Sequence, residues 1–238
     1  MKYIQAVLFY FFYTIATVSI ATACILARIF GRDVAWKVGY LWSKVGNFLL
    51  GLIYGIKINI EGKEHIPAEP CVIVANHQST WETATLPVVL PPFAWILKKE
   101  LMYIPFFGWA LYALDAIPIV RSNTRDALRQ VNEKGTAQLK SGRCVVIFPE
   151  GTRRPVGQPG TYKPGAVMLA KKAGVAILPI AHNAGACWPK DSWFKNKGTI
   201  TLRILPPISA EDVKEKKRND ILAECETRIV SACKEIGG

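Results

Sequence analysis

Histidine is scarce in this chain: His65, His77 and His182 serve all 238 positions. None stands at metal-ligand spacing beside a cysteine, and the six cysteines, Cys24, Cys71, Cys144, Cys187, Cys225 and Cys233, include no C-x-x-C pair. That excludes a zinc ribbon or finger, argues against a disulfide framework, and leaves no metal or other resident cofactor expected. Cys71 and Cys144 open strongly apolar runs and read as small buried hydrophobes, which places the globular part in a reducing compartment. There is no G-x-S-x-G elbow to supply a serine nucleophile. Internal repeats, low-complexity tracts and linkers long enough to mark a second globular domain are also missing. Negative charge is in short supply: 18 acidic residues face 30 basic ones, a net +12, so the surface prefers anionic company. With half the residues apolar and a mean hydropathy of +0.19, an anionic membrane suits this balance better than nucleic acid, which is not expected as a partner.

What is present begins with a run free of charge, Tyr3 to Ala27, long enough as a helix at about 1.5 Å per residue to cross a hydrocarbon core of roughly 30 Å. A cleaved signal peptide has a shorter apolar region. Arg28, Arg32, Lys37 and Lys44 follow the run and only Lys2 precedes it, so the positive-inside rule puts the remainder in the cytoplasm. A second segment, Val34 to Ile58, mixes apolar residues with Lys37, Lys44 and glycines and reads as an interfacial helix, with Trp36, Tyr40 and Trp42 anchoring it at headgroup level. Two arrangements stay open: a first helix that spans the bilayer, and a helical pair dipping into one leaflet.

From residue 56 onward short β-branched runs alternate with helical stretches. IKINI, CVIVA, AWIL, IPIV, CVVIF, AILPI and TITLRIL are the strand candidates. Helices are expected at Thr80–Val89, Pro105–Leu114, Thr124–Lys140, Pro164–Ala173 and Ala210–Ile236. The alternation predicts an α/β domain over 56–238, a mostly parallel or mixed sheet covered by helices, behind a hydrophobic membrane segment over 1–55.

Two strand exits carry the chemistry. CVIVA runs into Asn76, His77, Gln78, Ser79, Thr80, Trp81 and Glu82, placing a histidine where α/β proteins gather ligand sites. His182, after a late strand, is its one rival as a base. Residues five apart on a continuous helix differ by about 140° and cannot face each other, so His77 must precede the helix whose first turn holds Glu82. From there Glu82 can receive the imidazole N–H and orient the ring; Ser79 to Glu82 equally matches a capping box, in which the carboxylate only bonds the Ser79 N–H. CVVIF runs into FPEGTRR, where Glu150, Gly151, Thr152 and Arg153 form a turn able to grip a phosphate, or an ordinary charged turn. Lys98 and Lys99 at one end and Arg121 at the other flank an aromatic-rich apolar stretch, which suits a ligand with a phosphate head and an acyl tail or, more plainly, a core helix.

NHQSTWE, KKEL with IPFFG and IPIVR, FPEGTRR, and LPIAHNAG resemble, in order and spacing, the four blocks of the glycerolipid acyltransferases, the bacterial 1-acylglycerol-3-phosphate enzymes in particular. The resemblance covers Asn76 to Gly185, nearly half the chain. It implies His77 as base and Glu82 as its acidic partner, Asp being the commoner residue there. It implies Lys98, Arg121, Glu150, Gly151, Thr152 and Arg153 as ligands of the acceptor phosphate, and a fourth block at Pro179 for the acyl donor. The implied reaction carries an acyl group from acyl-coenzyme A or acyl-carrier protein to lysophosphatidic acid at a bacterial cytoplasmic membrane, with membrane lipids as surroundings. Other lysolipid acceptors, a serine hydrolase using Ser79 and a non-catalytic binder of anionic lipid are the competing expectations.

Overall fold

The computed structural model describes residues 1–120 and 124–238. Two long helices come first, α1 (Lys2–Ala27) and α2 (Arg32–Tyr54), antiparallel partners joined through a 3-10 turn and Gly31. Gly55 ends α2 in the left-handed conformation, φ +65°, a position that favours glycine. Seven strands follow among the described residues: β1 (Lys57–Glu61), β2 (Val72–Ala75), β3 (Phe93–Lys98), β4 (Ile117–Ile119), β5 (Cys144–Ile147), β6 (Ile177–His182) and β7 (Thr199–Ile204). They form one sheet in the order β1-β7-β6-β2-β5-β3-β4, parallel at every pairing except β6 with β7. The expected mixed α/β sheet is what the chain builds, and each strand candidate became a strand.

Burial explains the order. β2, β5 and β6 are buried along their whole length, the near-continuous apolar reading of a strand covered on both faces. β1 is half-exposed and takes an edge. Alternation along β2 sends Ile73 and Ala75 to the core layer shared with Phe9, Trp36, Leu50 and Tyr54 of the helical pair, and Val72 and Val74 to the opposite layer, as the two-residue period of a strand requires.

The helices on the sheet are α3 (Trp81–Val89), α4 (Phe107–Ala113), α5 (Thr124–Lys140), α6 (Gly165–Ala173), α7 (Ala184–Cys187), α8 (Ala210–Glu215) and α9 (Arg218–Glu235). Three expectations need correction. The Pro105–Leu114 helix starts two residues later, because Lys99–Tyr103 forms a 3-10 turn and Phe106 takes φ +60°; Gly108 allows this, since a Cβ there would lie 2.3 Å from the Met102 carbonyl oxygen. The single helix at Ala210–Ile236 is two. α8 is capped by Ser209, which accepts the Asp212 N–H, and the chain extends at Lys216 and Lys217, where Lys171 Nζ takes the carbonyls of Lys214 and Lys216. Those are the carbonyls a helix end leaves unpaired. Trp36 is not an interfacial anchor: it is buried against Phe93 and beneath the Arg143 guanidinium.

Candidate active site

β2 ends at Ala75 and α3 starts at Trp81, so Asn76 to Thr80 cross the carboxyl end of the central strands. Asn76 is buried; its side chain donates to the His182 carbonyl (2.9 Å) and accepts the His182 N–H (3.0 Å), joining the ends of β2 and β6. The His77 peptide is held on both sides. Its N–H donates to Glu150 Oε1 (3.0 Å) and its carbonyl accepts the Arg154 N–H (2.7 Å), so FPEGTRR grips the backbone of NHQSTWE. The imidazole stacks on Phe148 with ring centroids 4.1 Å apart, and Trp95 lies behind Phe148.

Glu82 is fully buried in the first turn of α3 and divides its carboxylate between two tasks. Oε1 accepts the N–H groups of Gln78 (2.8 Å) and Ser79 (2.7 Å), while Ser79 Oγ accepts the Trp81 N–H (3.1 Å). The Glu82–Ser79 bond is the carboxylate half of the capping box; the hydroxyl half is replaced by the shorter Ser79–Trp81 bond. Among the described residues Oε2 has no hydrogen-bond partner and faces His77 Nδ1, likewise without one, at 3.7 Å. That is longer than the roughly 3 Å of a hydrogen bond, a spacing that tightens on ligand binding in many active sites. Capping and orienting, set against each other in the sequence, thus fall to different oxygens of one carboxylate. Burial works against ionising Glu82, but the His182 and His77 rings and the Gln78 N–H outweigh it and hold the carboxyl below the ordinary glutamate range.

His182 has no opening to solvent. Burial pushes its pKa down, and its Nδ1 accepts the Ala184 N–H (3.3 Å), which only the neutral ring can do. It is not a base for a bound substrate. His65 turns to the Ile204 carbonyl (2.8 Å).

His77 opens on a cavity of about 490 Å³ whose lining joins Ser79, Thr80, Lys98, Thr152 and Arg153 to Tyr13, Thr17, Trp42, Leu101, Phe107 and Leu111. A smaller apolar cavity of about 60 Å³ shares Thr17, Trp42, Thr83, Trp95, Phe107 and Leu111 with it and continues between α1, α2 and α4. Arg153 reaches Thr80 Oγ1 (3.2 Å) and Asp191 (3.1 Å); Lys98 stands at the end of β3 beside Glu100 (3.3 Å). Of the phosphate ligands anticipated from the sequence, Lys98, Thr152 and Arg153 therefore meet His77 at one cavity. Glu150 does not line it: the carboxylate is buried, Oε2 accepting the Gly160 N–H (3.0 Å) as Oε1 accepts that of His77, and burial pushes its pKa up. Gly151, at φ +71°, supplies the turn that sends Thr152 and Arg153 forward. Arg121 lies outside the described residues.

Sequence reasoning missed Asn76 as a strand-to-strand bridge and Phe148 as the platform under His77. It also missed the helical pair as a wall of the cavity: Trp42, read as an interfacial anchor, lines the site and donates to Thr17 Oγ1 (2.9 Å). The signals were faint, a polar residue directly after a buried strand and an aromatic directly before a turn.

Comparison with known proteins agrees with this geometry. The acyltransferase family model matches residues 57–183, which contain His77, Glu82 and the FPEGTRR turn. The 1-acyl-sn-glycerol-3-phosphate acyltransferase of Pseudomonas aeruginosa is 49% identical over 71% of this chain and 66% of the relative. The yeast (Saccharomyces cerevisiae) enzyme of that name is 29% identical over 90% of this chain and 72% of its own. The matches thus span about two thirds of the length of these relatives. The crystal structure of the 1-acyl-sn-glycerophosphate acyltransferase PlsC from Thermotoga maritima superposes with a TM-score of 0.83 at 26% identity, covering 99% of this chain and 95% of that one. A family model spanning more than half of the residues, a high-identity relative and a shared fold lead to one conclusion: the chain belongs to the acyltransferase family.

Proposed function

We propose that this protein transfers a fatty acyl group from acyl-coenzyme A or acyl-carrier protein to the free hydroxyl of 1-acylglycerol 3-phosphate, giving phosphatidic acid. The observation that carries the reading is the cavity at His77, whose lining combines the cations Lys98 and Arg153 with apolar and aromatic side chains, which matches an acceptor with a phosphate head and an acyl tail. The names of the Pseudomonas and yeast relatives support that acceptor.

His77 acts as the base. With Nδ1 turned to Glu82, Nε2 is the nitrogen that takes the hydroxyl proton as the oxygen attacks the thioester carbonyl carbon. The tetrahedral intermediate collapses with cleavage of the carbon–sulfur bond, and the imidazolium returns its proton to the departing thiol. Glu82 orients the ring and stabilises its protonated form. Lys98, Arg121, Thr152 and Arg153 hold the phosphate, Arg153 by its planar fork; Glu150 serves by holding the His77 peptide. The step needs no cofactor beyond the acyl donor.

Residues 56–238 form the catalytic domain and residues 1–55 the membrane attachment. α1 is long and apolar enough to cross a bilayer, yet Tyr13 and Thr17, midway along it, line the catalytic cavity. A helix that spanned would carry the site toward the middle of the hydrocarbon core, far from acceptor headgroups. We read the helical pair as lying in one leaflet, on the cytoplasmic side that the basic residues after α1 favour.

The test is acyl transfer from labelled acyl-coenzyme A, and separately from acyl-carrier protein, to lysophosphatidic acid, with glycerol 3-phosphate and a second lysophospholipid competing. Phosphatidic acid formed by wild type and abolished in His77→Ala, with folding intact, is the expected result. Transfer surviving in His77→Ala would remove the base, and lipid binding without transfer from either donor would make the chain a lipid binder.

A further inference from the structure

His182 is a buried titratable side chain that the transfer step above does not use, and its ring is fully committed. Nδ1 accepts the Ala184 N–H (3.3 Å), which leaves the single ring proton on Nε2. That proton is given to the Asn76 carbonyl (2.8 Å), and Glu82 Oε1 lies 3.2 Å from the same nitrogen, against the N–H edge of the ring. The main chain is tied as tightly: the His182 N–H and carbonyl both bond the Asn76 side chain. β2 and β6 are paired up to Ala75 and Ile180, and His182 stands just past that pairing, behind the carboxylate.

Glu82 Oε1 thus accepts the N–H groups of Gln78 and Ser79 and touches the N–H edge of His182, whereas Oε2, among the described residues, faces only His77. A carboxylate swings about its terminal bond unless one oxygen is held. The two backbone donors come from the same turn as His77; the His182 ring is the contact that reaches Glu82 from β6. We propose that His182 is a positioning residue for acyl transfer, anchoring Glu82 through Oε1 so that Oε2 stays aimed at the His77 ring. This rests on the assignment of His77 as base and Glu82 as its partner.

Glutamine at 182 keeps an N–H near the Nε2 position, whereas asparagine and leucine cannot reach Glu82. Steady-state kinetics of His182→Gln, His182→Asn and His182→Leu, with thermal unfolding of each, compare the three. The expected result is a kcat lower by roughly tenfold to a hundredfold in the Asn and Leu variants, the span of losing a hydrogen bond to a charged group. KM for lysophosphatidic acid should be unchanged, and the Gln variant should recover most of kcat. In a Glu82→Gln background the Asn substitution should lower kcat no further, because residues acting as one unit are not additive. Equal kcat in the Gln and Asn variants, or a loss that multiplies with that of Glu82→Gln, would overturn the proposal while leaving His77 as base. Activity retained by His77→Ala would instead overturn the base assignment, whatever the variants at 182 do. Should the Leu variant fail to fold, the Gln and Asn pair decides.

Discussion

At the residue scale the site depends on how two buried carboxylates are employed. Glu82 is ionised and shared between helix capping and His77. Glu82→Gln keeps an oxygen for the cap but presents an uncharged group to the imidazole, so turnover should fall strongly, with a stability loss of about 1 kcal/mol as bonds to a charged acceptor become bonds to a neutral one. The stability difference depends on pH. A carboxyl held below its ordinary range contributes stability above that range and loses it as pH falls through the folded-state value, so wild type should unfold at a higher temperature than Glu82→Gln at neutral pH and the gap should close in acid. Thermal melts of both proteins from neutral to acid pH check this; a gap independent of pH would contradict it. Glu150, expected from the family pattern among the phosphate ligands, instead holds the N–H groups of His77 and Gly160. Glu150→Ala should therefore lower kcat through a displaced His77 while KM for the acceptor stays near wild type; a rise in KM alone would return Glu150 to the phosphate. NHxxxxE and FPEGTRR were legible as site residues because each follows an apolar strand. Which members of FPEGTRR face the cavity was not, because Gly151 and the buried Glu150 turn the chain over within a few residues.

At the element scale the helical pair is a wall of the site and, in the function proposed above, its membrane attachment. α1 buries one face, with Phe9 fully enclosed against Tyr54 and Trp188, and exposes Val7, Leu8, Phe11, Phe12, Ile15 and Val18. Lys195 lies among Phe9, Tyr10, Tyr54 and Trp188, its Nζ within 4.2–5.3 Å of all four ring centroids, a cation–π clamp between this pair and the segment joining α7 to β7. Exposed apolar area of that extent marks a membrane or partner surface. Phe11→Glu with Phe12→Glu should release the protein from anionic vesicles in a flotation assay, leaving its melting temperature within a few degrees of wild type, since neither side chain is buried. Vesicle binding that persists would place the membrane contact elsewhere. The run without charge announced an apolar helix; the side it buries was not readable, because nearly every position on it is apolar.

At the scale of the whole molecule, a division at residue 55 does not divide the core. Phe9, Trp36, Leu50 and Tyr54 share one apolar layer with Ile73, Trp81, Phe93 and Val146. A chain trimmed to residues 56–238 would expose that layer, and it should aggregate or melt well below the full protein in a thermal unfolding measurement. A trimmed chain that is monomeric and equally stable would show that the pair is an appendage. The sequence by itself determined the seven strands, the apolar start, the basic surface and the two strand-exit motifs, because strand periodicity, charge and turn chemistry are local properties written in consecutive residues. Tertiary structure alone decided that Glu82 turns one oxygen to His77 and the other to the cap, that His182 stands behind it, that Glu150 holds the peptide of His77, and that Trp42 faces the cavity. Those contacts join residues up to 100 positions apart, and the long-range ones at His182 and Glu150 follow from the strand order that sets β6 and β5 on either side of β2, which no local pattern specifies.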